Sequence, residues 1–190
     1  MENKMQNIRY KILNQINPVE DEKIIRDIEY IKNDPEFDIN WRKGEFHGVT
    51  LLMCAIFKNR NKLVEYLLKD PYIDVNIKCN CCAAIFHCRN VSILKLLLNH
   101  TNIDVNIQDN GRNTVLHHWC EYSNVAETEM IKELLMDGRI DLSIKNKCGK
   151  TALDIAIKRK YYDIAKMIII MSPTNIVLSK DLARKLCEYI

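Results

Sequence analysis

The 190-residue chain lacks most of the features that announce a function by themselves. Its longest apolar run, near residues 164–171, is broken by Lys166 and falls far short of the roughly 20 residues that span a bilayer. The opening MENKMQNIRYK has no apolar core of the kind a secretory signal needs. Together these absences predict an intracellular protein of the cytoplasm, with the nucleus left open, and no membrane contact. The formal net charge is only +3, and Lys and Arg are interleaved with Asp and Glu, so no basic face for nucleic acid is expected. There is no Gly-x-x-x-x-Gly-Lys phosphate loop and no His-Glu-x-x-His helix, and neither cofactor nor small-molecule substrate is expected.

Hydrophobic residues make up 47% of the chain and charged ones 28%, which is enough apolar surface for a continuous core. Eight cysteines would suggest disulfides in a secreted protein. Without a signal, they are expected to be reduced thiols that behave as small hydrophobes when buried.

The clearest organisation lies at residues 101–118, TNIDVNIQDNGRNTVLHH. Its Ile-Asp-Val-Asn segment recurs around Asp74, and in looser form around Asp38 and Asp141. The aspartates at 38, 74, 104 and 141 are 36, 30 and 37 residues apart, an uneven period in the range of repeat architectures. Between them lie pairs of short apolar segments at helical spacing, none long enough to be stable alone in water. Ile24, Ile28 and Ile31 mark one helix, after the break at Asn17-Pro18. Thr50, a plausible N-cap, opens a run from Leu51 to Ile56, and a second run spans 63–68. The third unit has only five residues between His87 and Ile93, about one helical turn fewer than its predecessor. The fourth carries a polar insertion of about three residues within 121–129, expected to bulge at the turn between its helices. The fifth, from Lys147 to Ile169, is regular, and a cap is expected from Ser179 onward. Gly111 and Gly149 are placed to supply the positive φ that a tight turn needs.

Asp-x-x-Gly-x-Thr-x-Leu-His, two helices and Asp-Val-Asn in this order resemble the ankyrin repeat, most closely at residues 109–117 (DNGRNTVLH) and 147–156 (KCGKTALDIA). The resemblance covers residues 34–172; the proline usual after the threonine is replaced by Leu51, Val115 and Ala152. It implies an all-α solenoid of about five helix pairs with β-hairpin-like loops and a C-terminal capping helix. Residues 1–190 would form one such domain, with 1–36 a degenerate first pair, 37–172 the repeats and 173–190 the cap. It also implies a non-catalytic monomer that binds another protein through hairpin tips and a concave face. A compact array of this kind is similar to stand-alone viral and protist ankyrin proteins that act by occupying a host partner.

Binding residues concentrate on loops carried by a rigid scaffold, which directs attention to the tips. These offer Trp41, Arg42, Lys43 and Phe46; Lys78 and Asn80; Gln108, Asn110 and Arg112; and Lys145, Asn146 and Lys147. Trp and Arg are favoured interface anchors, so the first group is the best candidate, unless Trp41 packs back on the first helix pair. Two further clusters compete with this reading. Cys79, Cys81, Cys82, His87 and Cys88 carry zinc-ligand chemistry and support an alternative metal- or redox-responsive function. The crowded thiols and the lack of a second Cys-x-x-Cys pair favour packing for Cys82 and Cys88 and a loop position for Cys79 and Cys81. His117-His118-Trp119-Cys120 has the residue types of a nucleophilic pair, but His117 holds the place of the repeat's hairpin-bonding histidine, and no catalytic residue is assigned.

Overall fold

The computed structural model describes residues 21–42, 48–122 and 125–171, together with Lys4, Met5, Asn7, Ile8 and Lys11. The expected capping helix after Ser179 and most of the first N-terminal helix lie outside the described residues, as do Lys43 and Phe46. The chain divides into two compact units, Met1–Asp104 and Val105–Ile190.

In the first unit the apolar spacings become helices α1 (Asp21–Lys32), α2 (Leu51–Phe57), α3 (Asn61–Leu68) and α4 (Val91–Leu98). A 3-10 turn, Ala84–His87, lies between α3 and α4. Helices α1, α3 and α4 form one row, α3 touching both neighbours, while α2 packs on α3 and on the 3-10 turn. Every residue of α2 from Leu51 to Ile56 is buried, as expected of a helix that is apolar all round. Thr50 caps it: its hydroxyl accepts from the Met53 N–H at 3.2 Å. The 3-10 turn stands where the other units place an α-helix. Its four residues are what remains after the loss of a turn, and they account for the short 30-residue interval.

The second unit holds α5 (Val115–Tyr122), α6 (Val125–Leu135), α7 (Ala152–Lys158) and α8 (Tyr162–Ile170). Here α5 packs on α7 and α6 on α8, giving two layers, each pair closed by its own partner. The turn where the polar insertion is expected to bulge, residues 123–124, lies outside the described residues; the part of the insertion from Val125 onward is helical, and α6 has 11 residues against eight in α3 and α4. Ala and Glu are good helix formers, and Glu127 lies in the first turn, where a negative charge suits the helix dipole. Among the described residues no helix is long and apolar enough to cross a membrane.

The recurring aspartates and asparagines have a direct physical role. Asp38, Asp74 and Asp141 each accept, through the carboxylate, the backbone N–H two residues on, at 2.8, 2.9 and 2.9 Å. The following asparagine reaches the turn of the next repeat. Asn40 donates to the Tyr72 carbonyl at 2.7 Å and accepts from the Asp74 N–H at 2.8 Å. Asn76 repeats this with the Asn102 carbonyl and Asp104 N–H, and Asn106 with the Arg139 carbonyl and Asp141 N–H. An amide side chain has both donor and acceptor, so one residue satisfies two backbone groups that no helix can reach.

The hairpins correct the assignment of glycines. Asp109 N–H bonds Asn113 O at 2.8 Å and Asn146 N–H bonds Lys150 O at 2.9 Å, so Arg112 corresponds to Gly149. Gly149 has φ +71, as expected, but in the other hairpin the positive φ falls on Arg112 (59°) and not on Gly111. Gly111 is needed for close approach instead: a Cβ there would lie 2.6 Å from the Asn113 amide nitrogen. Because a left-handed conformation penalises any side chain, Arg112→Gly is expected to raise unfolding free energy by about 0.5–1 kcal/mol. Urea denaturation checks this; a loss of stability would contradict the strain at Arg112.

Candidate protein-binding surface

The second unit's hairpins and inner helices enclose a groove of about 300 Å³. Its construction begins with His117, buried on α5. The Nδ1 atom lies 3.2 Å from the Thr114 N–H and 2.8 Å from its hydroxyl, while Nε2 lies 3.0 Å from the Lys150 carbonyl. A backbone N–H can only donate, so Nδ1 accepts and Nε2–H is the donor to Lys150. Burial pushes the His117 pKa below its ordinary value, against the opposing pull of the Lys150 carbonyl. The imidazole thus ties α5 to the hairpin of the following repeat in neutral form.

His118, one residue on, faces the groove and lies 2.8 Å from the Asp109 carboxylate. Burial would raise the Asp109 pKa, but hydrogen bonds from His118 and Asn113 hold it below the usual carboxylate range. Glu121 pairs with Arg159, which lowers its pKa, and Tyr122 is 69% exposed beside it. Asp154 and Lys158 line the facing side on α7. The groove therefore offers charges of both signs, an imidazole and one large exposed ring.

The sequence-selected tips distribute unevenly around this site. Asn110, Arg112, Lys145 and Lys147 are exposed, and none lines the groove. Gln108 is half-buried and donates to the Arg112 carbonyl at 2.6 Å. Asn146 does line the groove, but its side chain serves the turn, accepting from the Cys148 and Lys150 N–H groups and donating to Asn113. In the first unit Lys78 and Asn80 are exposed, Arg42 is exposed and Trp41 is half-buried. His118, Glu121, Tyr122 and Lys158 were not among the selected residues. Their signal was the polar stripe at spacings of three and four on otherwise apolar first helices.

The chemistry of the two competing clusters is also defined by placement. Cys120 is buried, and burial pushes its thiol up to about 12, the opposite of an activated nucleophile. The His117 nitrogens are engaged with Thr114 and Lys150, so this imidazole is not directed at Cys120. Cys88 is buried too, with its thiol pushed up to about 11. By contrast, the Cys79, Cys81 and Cys82 sulfurs lie within 4.8 Å of one another. The expected loop position of Cys79 and Cys81 holds, but Cys82 faces them from a half-buried position and is not sealed in the core.

Family models for "Ankyrin repeats (3 copies)" and "Ankyrin repeat" match residues 81–179 and 47–77. The chain belongs to the ankyrin repeat family. An ankyrin repeat protein of fowlpox virus (strain NVSL) is 30% identical over 103 residues, covering 53% of this chain and 14% of that protein. An alpha-latrotoxin of Latrodectus geometricus is 32% identical over 128 residues, covering 64% of this chain and 9% of the toxin. This chain therefore spans only a small part of the length of these relatives. Ankyrin repeats generally mediate protein–protein interaction. In ankyrin terms, α2, the 3-10 turn, α5 and α7 are the first elements of their repeats, and His117 is the histidine that locks one repeat to the next hairpin.

Proposed function

We propose that this ankyrin chain is a non-catalytic, monomeric binding module that holds a segment of a partner protein in the groove of its second unit. The observation that carries the reading is the groove itself, where Tyr122 is exposed beside the His118–Asp109 and Glu121–Arg159 pairs. An exposed aromatic flanked by fixed charges is the usual make-up of an interface anchor. The tips of the same unit, Asn110, Arg112, Lys145 and Lys147, supply outer contacts; Lys78, Asn80, Trp41, Arg42, Lys43 and Phe46 form a separate candidate surface on the first unit. Gln108 and Asn146 support the second unit's surface by shaping the hairpins that carry it. The free thiols of the described cysteines suit a reducing compartment, the cytoplasm or the nucleus. The fowlpox relative fits a role in which such an array occupies a host protein.

The test compares three folded proteins: wild type, Tyr122→Ala with Lys158→Ala, and Trp41→Ala with Arg42→Ala and Phe46→Ala. Proteins retained by the wild type are expected to bind the Tyr122 variant at least about 30-fold more weakly, as for loss of a hot-spot anchor. Undiminished binding by that variant, with loss in the Trp41 variant, would move the site to the first unit. Undiminished binding by both would refute the surface proposed.

A further inference from the structure

Counting five residues on from Asp74, Asp104 and Asp141 puts Cys79, Asp109 and Asn146 at the same hairpin position. In two of these hairpins the first residue's N–H reaches the carbonyl four residues on. At Cys79 it reaches Cys82, three residues on, at 3.0 Å. This hairpin is one residue shorter, and an antiparallel bridge between Lys78 and Ala83 closes it. The shorter turn gathers the side chains it carries. Cys81 and Cys82 sulfurs are 3.5 Å apart, and all three sulfurs lie within 4.8 Å of one another. His87, on the 3-10 turn that replaces a helix, brings Nε2 to 3.6 Å from the Cys82 sulfur.

Those separations can be compared with a coordination polyhedron. Zinc bonds thiolate at about 2.3 Å and imidazole at about 2.0–2.1 Å, so a tetrahedron has S···S edges of about 3.8 Å and S···N edges of about 3.6 Å. The Cys81–Cys82 and Cys82–His87 separations already approach these edges, and the remaining sulfur–sulfur edges need a contraction of no more than about 1 Å, with His87 drawn toward the other two sulfurs. We propose that Cys79, Cys81, Cys82 and His87 form a closed, structural Cys3His zinc site. Four protein ligands leave no open position, so the site is structural and not hydrolytic. Three thiolates and one imidazole select a thiophilic ion with tetrahedral preference over magnesium or calcium. Cys81 is exposed, which gives the ion a route in, while Cys79, Cys82 and His87 are half-buried. Bound zinc carries one net negative charge with three thiolates, and Lys78 and Arg89 flank the ligands in the chain.

The position has a structural logic. The third unit has only a four-residue 3-10 turn where α2 supplies seven helical residues. Zinc would tie its hairpin to that turn and supply cohesion the missing helix cannot. The sequence signal is Cys79-Asn80-Cys81-Cys82 itself, which contains a Cys-x-x-Cys pair between residues 79 and 82. This site is independent of the groove on the second unit.

The test titrates fully reduced, chelator-stripped protein with cobalt(II), then displaces it with zinc. One equivalent is expected, with thiolate-to-cobalt charge transfer and the visible bands of tetrahedral cobalt. Zinc should then raise Tm by about 5–10 °C at saturation. Cys81→Ser and Cys82→Ser should abolish the charge-transfer signature, while Cys88→Ser and Cys148→Ser should keep it. If Cys82→Ser does not fold, the exposed Cys81→Ser decides the matter. Absence of stoichiometric metal from wild type, octahedral cobalt spectra, a Cys79–Cys82 disulfide re-forming under reductant, or a signature unchanged in Cys81→Ser would overturn the site.

Discussion

Asp21→Ala is expected to destabilise the protein by about 3–5 kcal/mol, the largest effect of any single polar substitution considered. The Asp21 carboxylate lies 2.8 Å from Arg60 Nη1, and the two side chains are only 4% and 3% exposed. Asp21 begins α1 and Arg60 immediately precedes α3, so the pair clips two neighbouring helices of one row. Removing the carboxylate takes a charge-assisted bond from a guanidinium that is only 3% exposed, and that penalty exceeds the modest net value of the pair. The surface pair Lys69–Glu65 provides the contrast. Its side chains are 72% and 53% exposed, and Lys69→Ala should cost no more than about 0.5 kcal/mol. Replacing both partners, Asp21→Leu with Arg60→Met, should restore most of the loss because no charge is stranded. Urea unfolding followed by circular dichroism measures all of these; a cost below about 1 kcal/mol for Asp21→Ala would show that the pair is not an essential clip.

His117→Ala should cost about 2–4 kcal/mol, the next largest effect. It removes a buried ring, strands the Thr114 N–H and takes away one of the two donors to the Lys150 carbonyl, leaving the Asn146 N–H. The same residue sets a pH dependence. Burial holds the native His117 pKa below its ordinary value, whereas in the unfolded chain it protonates near pH 6.5. Between those two pKa values the unfolded state binds more protons, so stability rises with pH. The contribution is complete above about pH 6.5 and is lost as pH falls toward the native pKa. His87 is lowered as well, chiefly by burial and then by Arg89, and acts with the same sign. The lowered Asp109 pKa acts with the same sign in a more acidic window, below the ordinary aspartate value of about 3.9. Stability measured from pH 7.5 down to 5 should therefore slope downward in wild type and less steeply in His117→Ala; identical slopes would sink the assignment.

Much of the fold is local in origin and was legible in residue order. Thr50 and Thr151 cap first helices because a hydroxyl before an apolar run can bond the third amide on. The shortened third unit was visible in the count between His87 and Ile93, and became a 3-10 turn. The fourth unit's insertion was equally visible, and its described part from Val125 onward belongs to α6, where Ala and Glu favour helix. Gly111 shows a limit at a single residue. Asp-Asn-Gly announces a turn, but the hydrogen bonds that set its phase put the positive φ on Arg112.

By itself, the sequence determined the repeat, its helix pairs, its capping residues and the position of the structural histidine, because each depends on neighbours within a few turns of chain. Tertiary structure alone decided what those parts do across repeats. It set the His117 tautomer through a carbonyl 33 residues away, joined each Asn-bearing turn to the next, and opened a groove between two helices and two hairpins. It also brought three sulfurs and an imidazole together at a hairpin one residue too short. Separation in space across such loops follows from the packing of whole units against one another, and no local periodicity carries it.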